Sequence, residues 1–230
     1  MKVLGIIPAR AGSTRLPQKN KLPLAGKPLI SYVVAAALGS RMITDWVLST
    51  DDAEILELAL GWEGIRPLNR PVELAGKASP AIDYVRHALD TYAKEGVHFD
   101  AIAIVQPTSP FTLSEDIDQT IQLLVRSGAP SAVTVMKLDH VVHPLKLKRL
   151  NGDRLEALIE EERGRMASED LDEVYVRNGA VYASRTSIIE QGILLGEDCR
   201  AVVMPRERSL DINEKLDFEF AEFLLSSQST

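Results

Sequence analysis

The feature that most constrains the fold is an alternation of short apolar runs with longer segments of helical periodicity. The segments between the runs repeat apolar residues every three or four positions, as amphipathic helices do. The runs, which read as strands, occupy residues 3–7, 46–50, 65–68, 101–105 and 132–136. Strands and helices in succession favour an α/β fold with a mostly parallel twisted sheet flanked by helices.

Several element boundaries follow from individual residues. Helices are predicted to begin near residues 28, 51, 80 and 114, with Asp51 and Asp52 complementing the dipole of the second helix and Ser114 as the N-cap of the fourth. Further strands are predicted at residues 178–183 and 200–204. A last helix over residues 214–225 is predicted to place its apolar residues against the core. These residues are Leu216, Phe220 and Phe223.

The regular alternation stops between residues 138 and 177. This stretch holds His140, His143, several basic residues and an acidic run at residues 160–162. We interpret it as a small lobe inserted in a single domain that spans residues 1–230, although polar runs are also typical of ordinary solvated surface. The two histidines have the spacing of a metal pair, but zinc is not favoured because no third ligand stands at a suitable spacing.

A cationic loop follows the first predicted strand. After Pro8 the chain contains Arg10, Arg15, Lys19 and further lysines, interleaved with small and polar residues. Small residues let backbone N–H groups approach an anion, and cations neutralise it, so the loop is suited to phosphate. It matches neither the Walker A pattern nor the dinucleotide pattern. An ordinary basic surface loop is the alternative.

The charge of the chain as a whole is opposite to that of this loop. The 230 residues carry a formal net charge of -7. A local cationic focus on an acidic protein favours a compact anionic ligand, whereas a nucleic acid would need a broad basic face. We therefore expect no nucleic-acid partner.

Cysteine content and hydropathy bear on the cellular compartment. A single cysteine, Cys199, excludes an internal disulfide framework and fits a reducing compartment. No apolar run approaches the ~20 residues that span a bilayer, and no signal segment precedes the first strand. We expect a cytoplasmic protein without a membrane partner.

Polar segments stand at the ends of several predicted strands. In a parallel sheet these ends meet at one edge, which is where α/β folds build their sites. The segments are residues 8–20, 106–109, 178–179 and 211–213. Asp211 is either a helix N-cap or a ligand of Mg²⁺, a cation that prefers carboxylate and phosphate oxygens. The absence of a Ser-His-Asp or Cys-His pattern indicates chemistry that relies on positioning and charge.

These motifs resemble those of the cytidylyltransferases that activate acidic nine-carbon sugars, the CMP-sialic acid (N-acylneuraminate) synthetases. The matching segments occur in family order along nearly the whole chain. They are IPARAGSTRLPQKN (7–20), STDD (49–52), RPVELA (70–75), VQPTSPF (105–111), HPLK (143–146), RNGAVY (177–182) and LDINEKLDF (210–218).

The resemblance implies a Rossmann-like nucleotidyltransferase fold in which the lobe at residues 138–177 mediates a homodimer. It also implies a reaction in which CTP and an acidic 2-keto-3-deoxy sugar give the CMP-sugar and pyrophosphate, with Mg²⁺ as cofactor. The sugar's anomeric hydroxyl would attack the α-phosphate.

The resemblance further implies a role for individual residues. Arg10, Ser13, Lys19 and Asn20 would hold the triphosphate, with Arg10, Lys19 and Asp211 contributing to catalysis. Pro8 and Ala9 would line the cytosine pocket with Arg70 nearby. The residues expected to face the sugar are Gln106, Thr108, Ser109, Lys146 and Asn178. The metal would be held by Asp211 and by the neighbouring position 213.

The sequence departs from the family pattern at three positions. The STRLP segment, with Thr14 in place of the usual Lys, is similar instead to the sister family that activates 3-deoxy-manno-octulosonate. Thr112 stands where Arg is usual, and Asn213 replaces the second acid of a DID motif, which removes one negative metal ligand. Two alternatives therefore stay open: a nucleotidyltransferase for another base or sugar, and a catalytically weak nucleotide-binding dimer.

Overall fold

The computed structural model describes residues 1–159 and 171–227. The strands are β1 (Val3–Pro8), β2 (Pro23–Leu24), β3 (Lys27–Pro28), β4 (Asp45–Thr50), β5 (Ile65–Asn69), β6 (Ala101–Val105), β7 (Ser131–Lys137), β8 (Lys148–Asn151), β9 (Arg154–Ala157), β10 (Tyr175–Arg185) and β11 (Cys199–Val203). The helices are α1 (Ile30–Gly39), α2 (Ala53–Ala59), α3 (Ala81–Ala93), α4 (Ser114–Ser127), α5 (Thr186–Glu190) and α6 (Lys215–Ser227).

Seven of the strands form one central sheet in the order β11-β7-β10-β6-β1-β4-β5. Strand β1 pairs in parallel with both β4 and β6, β4 pairs in parallel with β5, and β11 pairs in parallel with β7. Strand β10 is antiparallel to both of its neighbours. The predicted mostly parallel α/β sheet is therefore confirmed, with one reversed strand that the sequence pattern did not indicate.

Apolar side chains cover both faces of this sheet. In β1, Val3 and Ile7 belong to one buried cluster with residues of α1 and α4, while Leu4 and Ile6 belong to a second cluster with residues of α3. Burial on both faces explains the nearly continuous apolar run of this strand. Between these residues, Gly5 leaves room for the Trp46 ring, because a Cβ there would lie 2.2 Å from it.

Two predicted helix starts have different outcomes. Asp52 caps α2, since its Oδ1 accepts hydrogen bonds from the backbone N–H groups of Glu54 and Ile55 at 3.0 and 3.4 Å. The prediction of Ser114 as an N-cap is wrong by one residue: Leu113 occupies that position. The backbone N–H of Leu113 donates to Asp116 Oδ2 at 2.9 Å, so the acid in the first turn of α4 supplies the cap.

The predicted orientation of the last helix is also wrong. Leu216, Phe220 and Phe223 are 69%, 49% and 63% exposed, whereas Ala221 is fully buried. Phe218 packs with Ala221 against a small apolar cluster that includes Leu24 and Leu29. Apolar residues at helical spacing occupy two faces of α6, so the spacing alone did not identify the buried one.

The predicted lobe at residues 138–177 is described except for residues 160–170, and the acidic run at 160–162 lies among these. The described part contains two 3-10 turns, His140–Val142 and Pro144–Lys146, and a hairpin formed by β8 and β9. Strand β10 returns to the central sheet from Tyr175 onward, slightly before the predicted end of the lobe. Among the helices described, none is long and apolar enough to cross a membrane.

Candidate active site

Two cavities lie at the carboxyl edge of the parallel strands. The first, of about 210 Å³, is called the loop cavity here, and the second, of about 270 Å³, the Arg70 cavity; Pro8, Arg10 and Gln106 line both. The other residues of the loop cavity are Ser13, Thr14, Arg15, Leu16, Lys19, Asn20, Pro107, Thr108 and Asn213. Of the four segments predicted to converge, residues 8–20 and 106–109 and, through Asn213, residues 211–213 contribute to these adjacent cavities, whereas residues 178–179 line neither.

The cationic loop is fixed at both of its ends to the start of α2. The Ala11 N–H donates to Asp51 Oδ1 at 2.8 Å. Lys21 Nζ lies 2.9 Å from both Asp52 Oδ2 and Glu54 Oε2. These contacts neutralise one loop cation and leave the others, Arg10, Arg15 and Lys19, in the wall of the loop cavity, whose lining contains no carboxylate.

Lys19 connects the loop to the segment that carries Asp211. Its Nζ donates to the carbonyl oxygen of Ile212 at 2.5 Å. Burial lowers the pKa of Lys19 below its ordinary value, while the charge of Asp211 opposes this shift. A partly dehydrated ammonium group facing a cavity interacts more strongly with a phosphate than an exposed one does.

Asn20 is predicted to bind phosphate, and it is buried with one polar atom unused. Its Nδ2 donates to the Arg10 carbonyl at 3.4 Å. Its Oδ1 has no hydrogen-bond partner among the residues that the structure describes. The Nδ2 bond helps to hold the backbone at Arg10.

The Arg70 cavity is built around an arginine that is only 4% exposed. Nε and Nη2 of Arg70 donate to Oγ and the carbonyl of Ser49 at 3.0 and 2.8 Å, and its guanidinium lies 4.5 Å from the centre of the Tyr84 ring. Lys77 and Ser79 also line this cavity. The lining again contains no carboxylate, so an uncharged or anionic ligand fits it better than a cation.

The predicted base-pocket residues Pro8 and Ala9 differ in position. Pro8 lines both cavities. The Ala9 side chain is fully buried in the main core, and its backbone N–H donates to the Ser49 carbonyl at 2.9 Å. Ala9 therefore contributes to the site through the position of the strand end.

The predicted sugar-facing residues also fall into two groups. Gln106 and Thr108 line the loop cavity. Ser109 is fully buried and Asn178 is 5% exposed, and neither lines the two cavities. Lys146 lies in the second 3-10 turn of the lobe, outside both linings. The structure thus brings Gln106 and Thr108 to the site and keeps the other three away from the cavity surface.

Asn178 has an internal network instead. Its Oδ1 accepts from Thr134 Oγ1 at 2.7 Å, and its Nδ2 donates to Ser209 Oγ at 3.0 Å. It thereby ties β10 to β7 and to the segment that leads to Asp211. The following residue, Gly179, has a φ of 82° and sits beside Asp211, where a Cβ would lie 3.7 Å from its carboxylate oxygen.

The segment at residues 211–213 was predicted to bind a metal. Asp211 Oδ2 accepts from Asn213 Nδ2 at 2.7 Å, and Oδ1 of Asp211 accepts no hydrogen bond within the described part of the chain. One free carboxylate oxygen suits Mg²⁺ that is also held by phosphate oxygens and water. Oδ1 of Asn213, the other predicted metal ligand, accepts from Arg15 Nη2 at 3.2 Å, which occupies one of its two lone pairs.

The described residues contain no group of three or more His, Cys, Asp or Glu side chains able to hold a metal. His143 Nδ1 accepts from the Leu145 N–H at 3.3 Å. Asp217 caps α6, because its Oδ2 accepts from the N–H groups of Asn213 and Glu214 at 2.8 and 2.9 Å.

Sequence reasoning missed several residues that line the site. Arg15 was counted among the loop cations without a role of its own, and Tyr84, Lys77 and Ser79 were not considered. The loop pattern contained enough information to select Arg15. Tyr84 lies near the start of α3, and nothing in the sequence pattern distinguishes it from an aromatic residue of the core.

Fold and site together define a class: an α/β protein of the nucleotidyltransferase type, with a cationic cavity beyond the carboxyl ends of its parallel strands. Comparison with known proteins makes the assignment more specific. The chain belongs to the cytidylyltransferase family, whose sequence model matches residues 4–224.

Relatives and solved structures cover nearly the whole chain. A CMP-N,N'-diacetyllegionaminic acid synthase of Legionella pneumophila subsp. pneumophila is 31% identical over 98% of this chain and 97% of the relative. A pseudaminic acid cytidylyltransferase of Campylobacter jejuni subsp. jejuni is 28% identical over 97% and 96%. A CMP:2-keto-3-deoxy-manno-octonic acid synthetase complexed with CTP matches the fold with a TM-score of 0.73 at 18% identity, covering 99% of this chain and 100% of that one.

Proposed function

We propose that the protein transfers CMP from CTP to an acidic 2-keto-3-deoxy sugar and releases pyrophosphate. The observation that carries this proposal is the pair of adjacent cavities, both free of carboxylates in their linings, that share Pro8, Arg10 and Gln106. A nucleoside triphosphate needs a cationic cavity for its phosphates and an adjacent pocket for its base. The names of the relatives, which are synthases and cytidylyltransferases of acidic sugars, support CTP and this class of acceptor.

The triphosphate is assigned to the loop cavity. Arg10, Lys19 and Ser13 bind its oxygens, and Asn20 holds the loop backbone in place. The base is assigned to the Arg70 cavity, next to Pro8. The buried Arg70 guanidinium, fixed by Ser49 and Tyr84, offers a rigid donor to a base carbonyl.

Gln106 and Thr108 are assigned to the sugar. In the reaction, the anomeric oxygen forms a bond to the α-phosphorus, the bond from that phosphorus to the bridging oxygen breaks, and the hydroxyl proton is released to solvent. Lys19 stabilises the charge that develops on the phosphate oxygens. Asn178 and Ser109 are buried residues that hold the site's backbone in place. Lys146 stays a predicted sugar contact.

Mg²⁺ is proposed as the cofactor. Asp211 would hold it through its free carboxylate oxygen, and the metal would neutralise the leaving pyrophosphate. The position of Asp211 is set by Lys19 and by the Ile212 N–H, which donates to the Thr108 carbonyl at 2.8 Å.

A homodimer in the cytoplasm is proposed as the working state. Leu150 and Leu155 face each other across the β8–β9 hairpin and are 66% and 69% exposed. Apolar pairs at such exposure are typical of surfaces that another chain covers. The single cysteine supports a reducing compartment.

The test is pyrophosphate release with CTP and Mg²⁺ against a panel of 2-keto-3-deoxy sugar acids, including pseudaminic, legionaminic, sialic and octulosonic acids. A direct CTP titration is run in parallel, with GTP as the control for base preference. Release with CTP and one of these sugars supports the proposal. Tighter binding of GTP than of CTP would contradict it.

A catalytically weak nucleotide-binding dimer is the second candidate, because Asn213 replaces the usual acid. CTP binding without release from any sugar of the panel would favour it. In that case Asn213→Asp should introduce turnover together with Mg²⁺ dependence.

A further inference from the structure

The Asn213 side chain connects Arg15 of the cationic loop to Asp211, the proposed metal ligand. Arg15 Nη2 donates to Asn213 Oδ1 at 3.2 Å, and Asn213 Nδ2 donates to Asp211 Oδ2 at 2.7 Å. Arg15 and Asn213 both line the loop cavity. Within residues 1–159 and 171–227, Asn213 is the one group that accepts a hydrogen bond from the Arg15 guanidinium. The remaining donors of that guanidinium are therefore available to a ligand.

The orientation of the Asn213 amide is dictated by its partners. A guanidinium has donors and no acceptor, whereas an ionised carboxylate has acceptors and no donor. Only an amide oxygen turned to Arg15 and an amide nitrogen turned to Asp211 satisfy both neighbours. The amide thus links a cation to an anion without adding a charge of its own.

We infer that Asn213 is a positioning residue, whose neutral amide holds the Arg15 guanidinium at the wall of the loop cavity and keeps its other donors free for the phosphate that the loop is expected to bind. An amide fixes the guanidinium by one neutral hydrogen bond. A carboxylate at the same position would form a two-pronged ion pair with it and draw it away from a phosphate. This inference rests on the proposed function, since the phosphate is that of CTP.

The same geometry has a consequence for the metal. The side chains of Asp211 and Asn213 are in contact at 2.7 Å. A carboxylate at position 213 would therefore lie against the Asp211 carboxylate, and the two would repel each other unless a cation lay between them. With the amide, the contact is a hydrogen bond that needs no cation. The unaltered protein is therefore expected to bind CTP without Mg²⁺ more readily than a variant with an acid at this position.

The experiment is a double-mutant cycle on CTP affinity, measured by isothermal titration calorimetry in EDTA and again in Mg²⁺. In EDTA, Arg15→Gln should weaken CTP binding about 10-fold in the unaltered chain, because one charge-assisted contact is lost. Asn213→Asp should weaken it by a similar factor, and Mg²⁺ should restore most of that loss. In EDTA, the double variant should bind CTP less than about 2-fold more weakly than Asn213→Asp alone.

Arg126→Gln serves as the matched control, because Arg126 is an exposed arginine in the last turn of α4 and lines neither cavity. It should leave the affinity unchanged. Additive effects of the two substitutions in EDTA, or an Asn213→Asp loss that Mg²⁺ does not reverse, would overturn the inference. If Asn213→Asp does not fold, Asn213→Ser takes its place, and the effect of Arg15→Gln should again be smaller than in the unaltered chain.

The cycle separates the inference from the proposed function. An unaltered protein that does not bind CTP at all refutes the proposed function, and the inference with it. An unaltered protein that binds CTP but gives no coupling between positions 15 and 213 refutes the inference alone.

Discussion

Lys19 combines a structural and a chemical role in one side chain. Its hydrogen bond to the Ile212 carbonyl holds residues 211–213 against the loop, and its charge remains at the wall of the loop cavity. A lysine that is both desolvated and bonded is well placed to meet a phosphate without reorganising.

Removal of the Lys19 charge should reduce catalysis. For Lys19→Ala we expect kcat/KM to fall at least about 10-fold, which corresponds to the loss of roughly 1.4 kcal/mol of transition-state stabilisation. Steady-state pyrophosphate release measures it. Lys27→Ala is the control, because Lys27 is an exposed lysine of the same segment that lines neither cavity. An unchanged kcat/KM for Lys19→Ala would assign Lys19 to a purely structural role.

The lowered pKa of Lys19 predicts a pH dependence of CTP binding. Burial holds the pKa below the ordinary value of 10.5, so the side chain loses its charge at a lower pH than an exposed lysine does. CTP affinity should therefore fall as the pH rises towards 10.5, and Lys19→Arg should remove this fall because the guanidinium stays charged. Calorimetric titrations between about pH 7.5 and 10 test it.

The pH dependence of folding stability runs in the opposite direction to that of CTP affinity. Because the unfolded chain binds this proton more tightly than the folded chain, the free energy of unfolding contributed by Lys19 rises with pH between the lowered pKa and 10.5. A loss of CTP affinity in this range that was accompanied by unfolding would therefore contradict our explanation.

At the level of single residues, the sequence predicted the residues that line the loop cavity better than the buried residues that hold the site in place. Arg10, Ser13 and Lys19 lie in a loop whose composition already indicated an anion. Asn178 is different, because its partners Thr134 and Ser209 are distant in sequence. A polar residue at a strand end can face a ligand or satisfy buried neighbours, and the sequence pattern does not distinguish the two.

Among the secondary-structure elements, the chain following β11 determines where Asp211 lies. Arg208 forms an ion pair with Asp116, whose side chain is 5% exposed, and thereby ties this chain to the start of α4. Arg206, which shares the 3-10 turn Arg206–Arg208, pairs with Asp139 at 3.4 Å, and its side chain is 75% exposed. Both members of the Arg208–Asp116 pair are therefore more buried than both members of the Arg206–Asp139 pair.

This difference predicts unequal effects on stability. Arg208→Ala leaves a buried carboxylate without its cation and should lower the free energy of unfolding by about 2 kcal/mol. Arg206→Ala should change it by less than about 0.5 kcal/mol, because exposed ion pairs contribute little. Urea denaturation of both variants measures the two values. Equal losses would show that burial of the ion pair is not the deciding factor.

The strands and most helix limits were predictable because hydrophobic periodicity reports burial directly. The buried face of α6 was not predictable, since Phe220 and Phe218 both belong to apolar stripes of that helix. The reversed direction of β10 was not predictable either, because strand direction depends on the connection through residues 138–174 and leaves no local pattern.

For the whole molecule, the dimer proposal makes a direct prediction. Leu150→Glu places a charge on the exposed apolar pair of the β8–β9 hairpin and should convert the dimer to a monomer at micromolar concentration. Sedimentation velocity measures the change. Asn151→Glu introduces the same side chain on the other face of the hairpin and should leave the dimer intact. A monomeric unaltered protein would contradict the proposal.

The position of β10 has a consequence for how the chain reaches this structure. Strands β6 and β7 follow each other in sequence, yet β10 lies between them and pairs with both. During synthesis, each of the two therefore has an open edge until residues 175–185 have left the ribosome. The site, which spans both sides of β10, is completed late, and a nascent chain that stalls before this strand presents two unpaired edges to chaperones or to other chains.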